Sequence, residues 1–313
     1  MNKTSKIYIA GHKGLVGSAI MRLLLKEGYS NIIVRSKDEL DLRNQEAVDL
    51  FFKKEKPEFV FLAAAMVGGI IANSRAKASF FYDNSMIALN VIHSAYKHKT
   101  AKLLNLGSSC IYPKLAPQPL REEYLLSGAL EETNDAYALA KISAIKMCSY
   151  YNKEYETNFI SAMPTNLFGY YDNFDLMTSH VLPAIIRKID TAKRTGEVVQ
   201  LWGDGTAKRE FLFSDDLALA LLMLMENKNA TEIGEFVNIG AGKDLTIKEL
   251  SLIISEIIGY KGEILWDTSK PNGTPQKLLD ISRITNLGWK PVTTLTDGIR
   301  LTYEWYCRHA AHL

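Results

Sequence analysis

Cysteine is scarce in this chain: three in 313 residues (Cys110, Cys148 and Cys307), far apart and with no Cys-x-x-Cys spacing. That argues against a disulfide framework or a structural zinc site, and it fits a reducing compartment. A charge excess is missing as well. With 37 basic and 35 acidic residues the formal net charge is +2, so there is no global electrostatic case for nucleic acid or a membrane surface, and any anion site has to be local. Long hydrophobic runs are absent. The longest, residues 59–72, falls short of the ~18 residues a spanning helix needs and contains Gly68-Gly69; it reads as a buried strand followed by a loop. The apolar run after Lys6 is too short for a signal-peptide core. The expectation is a soluble, cytoplasmic protein without a metal. No internal repeat, low-complexity tract or flexible linker is evident.

What is present is alternation. Apolar, largely β-branched runs at 7–10, 32–34, 59–63, 103–106, 159–163 and 236–239 read as strands. Helical patterns at 16–27, 45–54, 85–97, 137–155 and 215–226 lie between them. Uninterrupted apolar strands alternating with helices predict an α/β fold with a doubly wound parallel sheet of the Rossmann type. Beyond Asn166 the pattern loosens, with loops around 170–179 and 203–209. A helix opens at Thr246, with Glu249 three residues on as a capping box. Segments 198–201 and 263–266 look like short strands away from the main sheet. The expected division is a dinucleotide-binding part over 1–165, completed by parts of 211–245, and a smaller substrate-binding part over 166–313.

Gly11-His12-Lys13-Gly14-Leu15-Val16-Gly17 follows the first strand directly and opens the first helix. Glycines there permit a tight turn and let backbone amides approach a pyrophosphate. The second strand ends Val34-Arg35-Ser36, a cation where an NAD site usually carries an acid. Arg35 would pair a 2′-phosphate, which predicts NADPH/NADP as cofactor, with His12 and Lys13 adding charge nearby. Asp41 and Leu42 are placed near the adenine. Leu62, Ala63 and Ala64 end the third strand and could lie against the cofactor.

Tyr137-Ala-Leu-Ala-Lys141 puts a phenol and an ammonium on one helix face. A cation beside a tyrosine favours the phenolate, so the expectation is a lowered pKa and a proton donor usable near neutral pH. Ser108 and Ser109 follow the fourth strand, at the carboxyl edge where such sheets bind ligands. Ser108 could hold a carbonyl while Tyr137 delivers a proton.

Together the glycine loop, Ser108…Tyr112 and Tyr137…Lys141 resemble the extended short-chain dehydrogenase/reductases that act on nucleotide sugars. More narrowly, GHKGLVGSAI, AAAMVGGI, LGSSCIYPK, PTNLFG at 164–169, SHVLP at 179–183, REFL at 209–212 and KPNGTPQK at 270–277 are similar to the GDP-L-fucose synthase family, over nearly the whole chain. That resemblance implies 3,5-epimerisation and C4-keto reduction of a GDP-linked 4-keto sugar of the 6-deoxymannose type. It implies Ser108, Tyr137 and Lys141 as the reductase triad, and Cys110 and His180 as the epimerisation pair. It places Pro164, Asn166, Leu167 and His180 against the cofactor with the glycine loop, and assigns substrate contacts to Ser109, Asn166, Arg187, Lys188, Trp202, Arg209 and Lys277. Homodimerisation through the Tyr137 helix is expected by analogy.

Five positions depart from the family pattern. Met66 stands where a lysine is usual, Asp175 where a histidine is common, Phe213-Ser214 replaces His-Val, and Lys188 replaces an arginine whose bidentate fork lysine does not reproduce. Two alternatives follow: a GDP-4-keto-heptose as substrate, or C4 reduction alone with epimerisation done elsewhere. A dehydratase would carry an Asp-Glu pair near the serine, where this chain has Ser109-Cys110. A non-catalytic cofactor sensor need not keep Ser108, Tyr137 and Lys141, and all three are here.

Overall fold

The computed structural model describes residues 1–270 and 272–309; Pro271 of the 270–277 motif lies outside them. In chain order the strands are β1 (Ile7–Ala10), β2 (Ile32–Val34), β3 (Phe59–Leu62), β4 (Lys102–Leu106), β5 (Phe159–Pro164), β6 (Asn166–Phe168), β7 (Val199–Trp202), β8 (Lys208–Phe213), β9 (Val237–Ile239), β10 (Asp244–Thr246), β11 (Ile264–Asp267) and β12 (Gln276–Lys277). The helices are α1 (Leu15–Lys26), α2 (Gln45–Glu55), α3 (Ile70–Arg75), α4 (Lys77–Lys97), α5 (Asp135–Tyr155), α6 (Val181–Thr195), α7 (Ser214–Asn227), α8 (Ala230–Ile233), α9 (Ile247–Ile258), α10 (Ser282–Asn286) and α11 (Leu295–His309).

A six-stranded sheet runs in the order β2-β1-β3-β4-β5-β9, and every pairing in it is parallel. Its strands are mostly apolar because both faces are covered; the buried exceptions are Lys102 and Asn105 on β4, Ser161 on β5 and Asn238 on β9. Ile7 and Ile9 pack with Ile20, Leu24 and Leu221 on the α1/α7 side. The alternate residues Tyr8 and Ala10 pack with Phe52, Val91 and Ala95 on the other side. Strand order reverses at β1, so a crevice opens between the carboxyl ends of β1 and β3, where ligands bind in such sheets. One buried cation secures the far end: Lys102 Nζ donates to Leu224 O (2.7 Å) and Met225 O (2.9 Å), and also to Lys228 O. It thereby reinforces the C-terminal end of α7, where Leu224 O also accepts the capping N–H of Lys228 (3.1 Å) and the last carbonyls otherwise lack helical partners.

The remaining strands lie outside this sheet. β8 pairs with β6, β10 and β12, and β7 pairs with β11, as the two short strands predicted at 198–201 and 263–266. A separate core of Phe168, Phe211, Ile186, Leu250 and Ile299 sits among these strands, α6, α9 and α11. The capping box at Thr246 and Glu249 is formed. Three expectations need correcting. Lys208 and Arg209 belong to a strand rather than a loop, because β10 and β12, distant in sequence, supply the ladder partners. The expected loop before Ala72 turns into α3 from Ile70. α4 begins at Lys77, two turns before the predicted start at Ser85, and those turns carry the exposed Phe81 and Tyr82, which blur the helical periodicity. Among the described residues no helix is long and apolar enough to cross a membrane.

Candidate active site

The glycine loop crosses the crevice between β1 and β3. Gly11 adopts φ +88°, and the N–H of Gly14 closes the turn on Gly11 O (3.1 Å). A Cβ at Gly11 would stand 2.7 Å from Ala64 N, and one at Gly17 would stand 2.1 Å from Gly11 O. Neither position admits a side chain. Gly14 is the N-cap of α1 and offers no side-chain cap, so the first amides of the helix face the crevice, an arrangement suited to a diphosphate. The cavity above it, about 710 Å³, is lined by Gly11, Gly14, Leu15, Val16 and Gly17, and beyond them by Ala63, Ala64, Pro164, Asn166 and Leu167.

At one end of this cavity stand Arg35, Lys37 and Arg43, with Asp41 and Leu42. Arg35 donates to Val34 O (2.8 Å) and to Glu55 Oε1 (3.0 Å). Arg43 bonds Asp41 (2.7 Å) and Asp83 (3.2 Å), and this holds the Asp41 carboxyl down to about 2. Each guanidinium keeps donors beyond these bonds, so the cluster suits a phosphate monoester. Arg43 was not foreseen; a basic residue two after Asp41 is a weak signal, and its partner Asp83 comes from α4. Two of the residues expected at the cofactor lie outside this lining. His12 lies outside the lining, on the shoulder of the tight turn. Leu62, 3 % exposed, points into the core with Phe52 and Val91.

At the other end, Ser108, Ser109, Tyr137 and Lys141 meet. The 3₁₀ turn Ser109–Ile111 carries Cys110, and Ser108 Oγ accepts from Cys110 N (3.5 Å). Tyr112 anchors this turn by donating to Asn238 Oδ1 (2.6 Å). Lys141 is buried; its Nζ donates to Leu106 O (2.8 Å) and lies 5.7 Å from the centre of the Tyr137 ring. Burial pulls this ammonium down to about 8. The expected lowering of the Tyr137 pKa does not occur. Burial raises it, the Cys110 charge adds to the rise, and only the Ser108 hydrogen bond opposes it. The phenol is therefore held protonated, the form in which it can donate.

Ser108, Ser109, Tyr137, Asn166 and His180 also line an adjoining cavity of about 360 Å³, which Cys110 borders as well. Burial pushes the Cys110 thiol up, while Ser108, Lys277 and Lys141 pull it down. His180 occupies the N-cap position of α6 without capping it, which leaves its ring open to the cavity. Partial desolvation of the ring within the cavity and the Lys277 charge hold its pKa below the usual value, although the residue as a whole is exposed. Lys188, Trp202, Arg209 and Lys277 line the far wall. Lys188 Nζ donates to Gln200 O (2.8 Å) and sits over the Trp202 ring. Arg187 does not reach the cavity; it donates to Phe174 O (3.0 Å). One residue of α6, about 100° of helix rotation, separates the two side chains. Of the departing positions, Met66 lines the larger cavity, Lys188 the smaller, and Asp175, Phe213 and Ser214 neither. Asp172, in the Asp172-Asn173-Phe174 stretch that also resembles the family, was given no site role. It borders the larger cavity at 7 % exposure, and burial brings its carboxyl up to about 7.

The NAD dependent epimerase/dehydratase family matches residues 7–240. The chain is 49 % identical over 312 residues to GDP-L-fucose synthase 1 of Arabidopsis thaliana, covering 99 % of this chain and 96 % of that protein. It is 48 % identical over 309 residues to GDP-L-fucose synthase of Escherichia coli K12, covering 96 % of each. Among solved structures it is similar to MlghC, the GDP-mannoheptose C4 reductase from Campylobacter jejuni with NADP bound, with a TM-score of 0.92 and 42 % identity, covering 98 % of this chain and 99 % of that one.

Proposed function

Because the chain belongs to the NAD dependent epimerase/dehydratase family, we propose that it is an NADPH-dependent enzyme that epimerises C3 and C5 of GDP-4-keto-6-deoxymannose and reduces the C4 ketone. The observation that carries this reading is the meeting of two sets of groups at one cavity junction. Ser108, Tyr137 and Lys141 stand where the glycine crevice ends, and Cys110 and His180 stand on the wall just beyond. The glycine cradle and the Arg35/Lys37/Arg43 cluster fit NADPH, with its diphosphate at the α1 terminus and its 2′-phosphate at the cations. When bound, NADPH supplies the hydride.

The residues of the chain do the rest. Ser108 holds the C4 oxygen, and Tyr137 protonates it. Lys141, charged at neutral pH, favours negative charge on that oxygen and on the tyrosine. During epimerisation the same donors hold the enolate oxygen formed when a proton leaves C3 or C5, both acidified by the ketone. His180, kept neutral, and Cys110, kept protonated, start as one acceptor and one donor, as removal and return of a proton require. Arg209 and Lys277 bind the diphosphate, and Trp202 with Lys188 faces the nucleotide.

The division into a cofactor part (1–165, completed by parts of 211–245) and a substrate part (166–313) is part of this proposal. The central sheet's use of β9 supports it. So is a homodimer in the cytoplasm, formed through α4 and α5, on which Phe81, Tyr82, Leu89, Leu139 and Tyr150 are exposed. Light scattering is expected to give twice the chain mass, and a monomer at micromolar concentration would reject the dimer.

The test of the substrate is direct. Purified protein is expected to oxidise NADPH with GDP-4-keto-6-deoxymannose; turnover of a GDP-4-keto-heptose alone would overturn the choice of sugar. The heptose stays in view because Lys188 and Met66 alter the cavity walls, and because the MlghC structure is close to this one.

A further inference from the structure

Arg209 and Lys277 are register partners on β8 and β12, and both line the smaller cavity. Two cations sharing one wall repel: besides burial, the Arg209 charge helps hold the Lys277 ammonium below its usual pKa. β12 is only two residues long, so its own ladder cannot hold Lys277 there. The following residues are bridged on one side to Leu120 (Leu120 N to Leu278 O 2.7 Å, Asp280 N to Leu120 O 2.9 Å), and the neighbour of Arg209 ties them to β8 itself. Glu210 is fully buried, and none of the ion pairs among the described residues includes it. Its carboxylate instead accepts from the backbone amides of Leu279 (2.9 Å), two residues past Lys277, and Gly242 (2.7 Å). Its main-chain carbonyl accepts from Asn166 Nδ2 (2.8 Å) and Thr165 Oγ1 (3.2 Å). One residue thus ties the segment after β12 and the loop after β9 to β8, and orients Asn166 at the cavity junction. The fit is tight: a Cβ on Gly240 would stand 2.3 Å from Glu210 Oε1. Burying a carboxylate without a cation is costly, and packing alone would be served by an apolar side chain.

We propose that Glu210 is a positioning residue for diphosphate recognition: its carboxylate pins the strand that carries Lys277 at the spacing from Arg209 that a nucleotide diphosphate bridges. The inference rests on the reading of Arg209 and Lys277 as diphosphate ligands. Glu210→Gln keeps the shape but turns an NH₂ group toward an amide that needs an acceptor. Gly240→Ala leaves the carboxylate in place chemically and displaces it sterically, which covers the case in which the first variant does not fold.

The experiment measures GDP and NADPH binding by calorimetry for the wild type and both variants. GDP is expected to bind about tenfold more weakly in each variant, the scale of one loosened charge-assisted contact, with NADPH affinity unchanged. In turnover, KM for the GDP-sugar rises while kcat is kept. Unchanged GDP affinity would overturn the proposal. So would equal losses for GDP and NADPH, which mark a general packing role. A wild type that binds NADPH but not GDP would instead overturn the diphosphate reading on which the proposal stands.

Discussion

Tyr137→Phe lowers NADPH oxidation with GDP-4-keto-6-deoxymannose by about 10²- to 10⁴-fold, the range that loss of a positioned general acid commonly costs. The substitution removes one hydroxyl and little else. The ring stays available for its edge contact with Phe80, centroids 6.2 Å apart, and Lys141 keeps its hydrogen bond to Leu106 O. NADPH binding, followed by fluorescence, should match the wild type. What is lost is a phenol that burial keeps protonated and that Ser108 orients. A cation near a tyrosine suggests phenolate; the structure gives a neutral acid beside a charged lysine, the better starting point for protonating an alkoxide. Wild-type rates in the phenylalanine variant would remove Tyr137 from the chemistry.

Cys110→Ser should separate the two half-reactions. Exchange of solvent hydrogen at C3 and C5 falls by about 10²-fold or more, because a hydroxyl titrates far above a thiol. Reduction at C4 falls much less. The residue is 6 % exposed on a turn that Tyr112 anchors, and serine is close in size, so the fold should be kept. Mass spectrometry of the recovered sugar reads the exchange, and NADPH absorbance reads the reduction. Equal losses in both assays would tie Cys110 to binding rather than to epimerisation.

The sequence makes the sheet legible where local signals are strong. β1 and β2 match their predicted bounds because each apolar run stops at glycine or a polar residue, Lys6 and Gly11 for β1 and Asn31 and Arg35 for β2, and α9 was visible from its capping box. β8 was hidden because its partners β10 and β12 come from residues 244–246 and 276–277, and no local pattern announces a ladder made at that range. Site residues divide in the same way. Those on the glycine loop and on the Tyr-x-x-x-Lys helix follow from spacing. Arg187 and Lys188 could not be told apart, since both are cations one step apart on α6, and only the carbonyl of Phe174 decides which one is taken out of the cavity. Leu62 and Ala63 likewise differ by one step along a strand end, where alternation sends one to the core and the next to the crevice. Arg43 and Asp172 owe their places to tertiary partners and burial, which spacing does not encode.

If one enzyme serves both epimerisation and reduction, proton exchange at C3 and C5 proceeds without NADPH. Wild-type protein should be incubated with GDP-4-keto-6-deoxymannose in D₂O without NADPH, and the sugar then recovered. Deuterium is expected at both C3 and C5. A sugar that carries no label, from protein that still oxidises NADPH with it, would contradict the epimerase half and leave a C4 reductase.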